Sequence, residues 1–257
     1  MDANATATDW ADGPFDLVPS PKFTVQDHAG IFAANEMAVS HNIYIRGLNA
    51  IYRQAEGVAL AADVADFLAF CRIWVEVIHH HHRTEEAVMF AGVEAALGEG
   101  VMAGNLEQHR AFESAMEGFA TYVSSTSVDA YDGAAVKQRI DRFGKLLVQH
   151  LHEEIQTLLS VRERLDPAGE VLKQHYLAFE KRLVAQSSWT RHQPFIFGCR
   201  DVTFENGVNG NWPPDAPFFV PYVISGVLSR KLAGVWRFLP SDFHGRPRPL
   251  PFASRRA

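Results

Sequence analysis

The chain has 257 residues, 47% of them hydrophobic and 21% charged, enough to bury one sizeable core with an extension. A formal charge of -6 and a pI near 6.0 give no electrostatic footing for nucleic acid, and neither a signal-type N-terminus nor a run of about 18 apolar residues offers a membrane route. Cys71 and Cys199 are too few for a disulfide framework. The expectation is a soluble cytoplasmic protein from a reducing compartment.

Residues 1–27 mix Ala, Thr, Asp and Pro without periodicity and read as an N-terminal arm, disordered or draped over the surface. From about residue 29 to 55, Met37, Tyr44, Leu48 and Ile51 recur at the spacing of one helix face. A second helix, capped by Asp63, carries Phe67, Cys71, Trp74, Ile78, His81, Glu85 and Val88 in steps of three and four. Gly92 predicts a break at residues 90–92, with 93–100 as a loop holding one turn at most. The third helix places Leu106, His109, Glu113, Met116 and Val123 on its seam. The fourth begins after Asp132 or Gly133 and ends near Asp166, with Val136, Ile140, Phe143, Leu147, His150, Glu154 and Leu158 inward. Four amphipathic helices with short connectors predict an all-α, antiparallel four-helix bundle over residues 28–166. Residues 167–257 then read as one helix, about 170–187, and an ordered strap rich in Pro and aromatic residues, with one helix near 220–232.

The stretch HHHHRTEE, His79 to Glu86, is the most conspicuous polar run in this pattern. Residues i and i+4 share a helix face, so His81 with Glu85, and His150 with Glu154, point inward as pairs. His41 and His109 occupy the apolar register of the other two helices, although His28 rivals His41. Burying six such groups unpaired costs several kcal/mol, and two first-row metal ions sharing four imidazoles and two carboxylates are the simplest compensation. Glu113, one turn beyond His109, is either a seventh ligand or an acceptor behind the ligands. A rotation of about 100° per residue turns His79, His80 and His82 away from the face of His81, leaving them on the surface or, for His82, as either a further metal ligand or a group behind the ligands. His152 and Glu153 fall off the seam and are expected in solvent. Tyr44 and Trp74 are core packing, or pocket walls if an open coordination position faces them.

These residues resemble the hemerythrin-like, or HHE cation-binding, family: His41 in HNIYIRGLN, His81 and Glu85 in HHRTEEAVMF, His109 in EQH, and His150 and Glu154 in HLHEEI. The resemblance covers roughly residues 28–165, and in the longer fungal members it extends to WRFLP and RPLPF. It implies a four-helix bundle around a non-haem di-iron centre with an oxo or hydroxo bridge. The oxygen carriers of the family use five histidines and two carboxylates, with a histidine where this chain has Glu113. Four histidines with two glutamates look more like members associated with nitric oxide, iron-sulfur repair or iron sensing. The implied ligand is O2, NO or peroxide, in sensing, iron homeostasis or protection. An oxidoreductase with an organic substrate, or a metal-stabilised interaction protein, is the alternative.

Overall fold

In the computed structural model, residues 10–23, 29–165 and 169–253 are described, and among them the regular structure is helical. Helix α1, Ala29–Gln54, is buried on nearly every side from Ala33 onward, because it packs on α2, α6, α7 and α8 and also carries the N-terminal arm. The arm is not a loose appendage: Ala11, Phe15 and Val18 are buried, and two asparagines one heptad apart clamp its backbone. Asn49 accepts from the Phe15 amide (2.9 Å) and donates to the carbonyls of Ala11 and Phe15 (2.8 and 2.9 Å). Asn42 brackets Val18 in the same way, at 2.7 and 2.9 Å. A side-chain amide offers donor and acceptor together, so it pairs an extended backbone as a neighbouring strand would. His28, the rival to His41, lies outside the described residues.

Helix α2, Ala61–Thr84, starts two residues before the predicted cap, and Asp63 instead binds Arg237 of the strap (2.6 Å). The predicted break at residues 90–92 is also absent. The chain continues through a π-helical stretch, Glu85–Phe90, into α3, Ala91–Leu97, and ends at Gly98, whose φ of 104° favours glycine. Gly92 serves close packing: a Cβ there would collide with the ring of His175 on α7. The π turn inserts one residue, so the seam passes from Glu85 to the fully buried Met89 and Val93, and Val88 is left half-buried.

Helix α4, Ala103–Ser125, buries Asn105, His109, Phe112, Met116, Phe119 and Val123. The predicted fourth helix is two, α5, Gly133–Ile140, and α6, Gly144–Leu165, joined by a turn in which the amides of Arg142 and Phe143 reach back three residues. Asp132 caps α5 through the amides of Ala134 and Ala135. Helix α7, Glu170–Ala185, lies against α1, α2 and the π stretch and buries Leu172, Tyr176 and Phe179. The strap contains α8, His192–Cys199, and only short turns where one helix over 220–232 was predicted, among them α9, Val220–Val223, followed by π and 3-10 pieces. It is tied to the bundle by Gln54, which donates to the Phe238 carbonyl (2.9 Å), and to the arm by the Trp10 indole on the Pro240 carbonyl (2.7 Å). The Arg46 guanidinium sits between arm and strap, 3.1 Å from Asp12 and 3.8 Å from Asp201. No helix of the described residues is long and apolar enough to cross a membrane.

Candidate metal centre

Five histidines and two glutamates from five elements meet in the bundle interior, all buried: His41 on α1, His81 and His82 on α2, Glu85 at the start of the π stretch, His109 on α4, and His150 and Glu154 on α6. Their donor atoms fall into groups lying within 4.8 Å: His41, His81 and Glu85 on one side; His82, His109 and His150 on the other; and Glu85, His150 and Glu154 between them. Glu85 faces both sides, with Oε1 3.6 Å from Nε2 of His81 and Oε2 3.7 Å from Nε2 of His109. Oε2 of Glu154 lies 3.4 Å from Nε2 of His41 and 3.6 Å from Nε2 of His150.

Three of the rings are held from behind. Nδ1–H of His41 donates to the Leu151 carbonyl at 2.7 Å, that of His109 to Glu86 at 2.5 Å, and that of His150 to the Gln108 amide oxygen at 3.1 Å. Each bond fixes the tautomer that turns an Nε2 lone pair toward the centre. Gln108 in turn donates to Glu153, so the glutamate expected to lie idle in solvent supports His150 through an amide.

The inward atoms find no partners. Nε2 of His41, His81 and His82 and all four oxygens of Glu85 and Glu154 are buried without a hydrogen bond. With their outer nitrogens donating, His109 and His150 bring two Nε2 lone pairs within 2.9 Å of each other, an arrangement that repels unless a cation lies between or beside them. Burial and the neighbouring imidazoles hold His81 and His82 well below the usual histidine range, and burial holds His150 down to about 3, so all three are neutral and able to ligate. Burial, reinforced by the Glu154 charge, pushes Glu85 well above the carboxylate range; burial acts on Glu154 in the same sense, but His41 and His150 outweigh it and hold that group low. An imidazole and carboxylate donor set with this many orphaned inward atoms fits first-row divalent or trivalent ions, and it fits two of them better than one.

Two residues depart from the helical-phase argument. His82 is 7% exposed and points inward, its ring 4.3 Å from that of His109 and 5.5 Å from that of His150. The 100° between His81 and His82 holds, but α2 is covered on both of these faces: His81 looks toward α1 and α7, against His41 and Phe179, while His82 looks toward α4 and α6. Glu113 is exposed and takes no part in the centre, because α4 turns Phe112 inward, where it packs on His82 and His150. His79 and His80 serve the periphery, the first 3.5 Å from Glu117 and the second bonded to the Leu183 carbonyl. His152 bonds the carbonyl of Asp16 in the arm. Trp74 is fully buried against Phe119 and Phe143 and donates to the Tyr44 carbonyl (2.9 Å), so it walls no pocket. Tyr44 lies beside the centre, its ring 4.8 Å from that of His81. Glu86, the residue four beyond His82, enters the site only from behind, as the acceptor of the His109 ring.

The chain is 36% identical over 248 residues, 95% of its own length and 93% of the relative's, to a dimeric xanthone biosynthesis cluster protein of Cryptosporiopsis sp. (strain 8999). No solved structure matches it. Residues 33–161, which contain every one of the converging side chains, match the family described as the Hemerythrin HHE cation binding domain, and the chain belongs to that family.

Proposed function

We propose that this chain holds a two-iron, non-haem centre that reacts with a small oxidant, O2, NO or peroxide. The observation that carries the reading is the placement of Glu85, with one carboxylate oxygen toward His41 and His81 and the other toward the His82, His109 and His150 cluster. His41 and His81 would hold one ion and His82, His109 and His150 the other, and Glu85 and Glu154, each facing both groups, would be shared between them. When bound, the irons supply one-electron redox chemistry toward the oxidant. The protein's share is to hold the imidazoles neutral, to orient three of them from behind, and to exclude bulk water with Phe90, Phe112 and Phe179 packed on the histidine rings. The fifth histidine supplies from α2 what Glu113 fails to supply from α4, which brings the donor set back to the five-histidine, two-carboxylate composition of the oxygen-binding members. Iron at two per chain, with a change in iron-dependent absorption when O2, NO or peroxide meets the reduced protein, is the expected result. Zinc at one per chain, or no spectral change with any of the three, overturns the reading.

A second reading spends the oxidant on an organic molecule, and one structural feature favours it: a cavity that ends on Tyr44 and Phe179, the two rings packed on His81. The relative's name sets it in a biosynthesis cluster for an aromatic product, and we infer the same kind of setting here. Under this reading the reduced centre turns over with O2 or peroxide faster in the presence of substrate than alone.

A further inference from the structure

Between α1, α7, α8 and the strap lies a cavity of about 90 Å³, the scale of a single aromatic ring. Rings make up a large part of its walls: Tyr44, Tyr176 and Phe179 on the bundle side, Phe197 from α8, and Trp212 followed by Pro213 from the strap. At the inner end, Tyr44 and Phe179 separate it from His81 by no more than their own thickness, with ring centres 4.8 and 5.5 Å from the imidazole. At the outer end stand Val184, which is exposed, and Glu180, which is half-buried.

Three polar groups along this path are not used by the rest of the described protein. Tyr44 is a buried residue whose hydroxyl makes no hydrogen bond, although the charge of Glu85 acts on it. The side-chain amide of Gln193 belongs to a residue only 8% exposed, and it bonds no described residue although it lines the cavity. The Glu180 carboxyl likewise has no ion-pair partner. An apolar cavity with a few polar groups at defined points that are free of other hydrogen bonds has the form of a small-molecule site.

From this geometry we propose that the cavity binds one flat aromatic ring bearing a hydroxyl, seated edge or face against Phe179 and Tyr176, with its oxygen bonded by Gln193 or Tyr44. Trp212 and Pro213 form its outer wall, so the strap is part of the binding site. The proposal rests on the second reading above, in which an organic molecule is brought to the metal centre. Ring-lined walls favour stacked and edge-on contacts that a puckered aliphatic ring of equal size makes less well. A polar cavity group left unpaired by a ligand without oxygen is a further discrimination.

The test is calorimetric titration of the iron-loaded full chain with 4-methylphenol, beside cyclohexylmethanol and toluene. The expected result is binding of 4-methylphenol at least fivefold tighter than of either analogue. Gln193→Leu should weaken it about five- to tenfold, and Ile196→Trp, which fills the cavity, should abolish it, both with wild-type iron content. No binding to protein that carries its full iron overturns the cavity assignment and leaves the two-iron reading standing. Binding that both variants leave unchanged, or equal affinity for the aliphatic analogue, overturns it as well. Failure to load iron counts against the metal reading alone, since the same titration on the metal-free chain reports the cavity.

Discussion

At the scale of single residues, the centre depends on side chains whose roles follow from what stands behind them. Under the proposed two-iron reading, replacing His82 by Ala should lower iron from two to about one per chain, whereas His79→Gln, which touches only the rim, should leave it unchanged; metal analysis of the purified proteins checks both. Glu86→Gln keeps the shape of the contact to His109 but weakens the charge-assisted bond, and loss of such a supporting carboxylate costs about 10- to 100-fold in metal affinity. That loss is measurable by chelator competition. Away from the metal, burial and then the Glu180 charge push the Glu36 carboxyl up to about 7 from its ordinary 4.5. A carboxyl raised by folding is favoured while protonated, so its penalty is absent below pH about 4.5 and grows as pH rises to 7. Glu36→Gln should therefore stabilise the protein by about 1–2 kcal/mol at pH 8 and by little at pH 4.5, as read from denaturant midpoints at the two pH values. Phase arithmetic found His41, His81, Glu85, His109, His150 and Glu154 because each occupies an apolar step of its own helix. It left His82 open between a ligand and a group behind the ligands, because a one-face rule assumes that a helix has one covered face, and α2 has more.

At the scale of elements, the informative departures are places where a tertiary neighbour decides what a local signal means. Gly92 reads as a stop in isolation and proves to be the space for His175; Glu113 reads as a seam position only if the seam of α4 runs 109, 113, 116 rather than 109, 112, 116. The π stretch slips the seam by one residue just after Glu85, which lets His82, Glu85 and Met89 all face inward on one helix. Periodicity cannot show such a slip, because one inserted residue resembles a change from a three-step to a four-step. The asparagine clamp was equally invisible: Asn42 and Asn49 are polar residues on a helix whose outer side has no other reason to be buried. Asn49→Leu removes three hydrogen bonds and leaves the Phe15 amide and two carbonyls buried without partners, so it should cost about 2–4 kcal/mol. Urea denaturation of the variant, with m unchanged, is the check.

For the whole molecule, the bundle was legible and the manner of its wrapping was not, since arm and strap are held by backbone carbonyls and unlike side chains rather than by a repeating pattern. The metal centre joins α1, α2, α4 and α6 through buried groups that are unsatisfied when alone, and bound ions add stability by mass action. An ion present at a thousandfold its Kd contributes about 4 kcal/mol. Removal of iron by a chelator should therefore lower Tm by about 10 °C or more, with reloading restoring it, as followed by calorimetry.

The Trp10 indole and the Pro240 carbonyl join residues at opposite ends of the described chain, and Ser20 reaches Asn209 in the same fashion. On the ribosome the first of these partners emerges 230 residues before the second. Through most of translation, then, the arm has only its asparagine clamps, and the outer side of α1 waits for the strap. Arm and strap thus form a single latch that closes once the strap is free to fold back, and trimming either should open the same region to proteolysis.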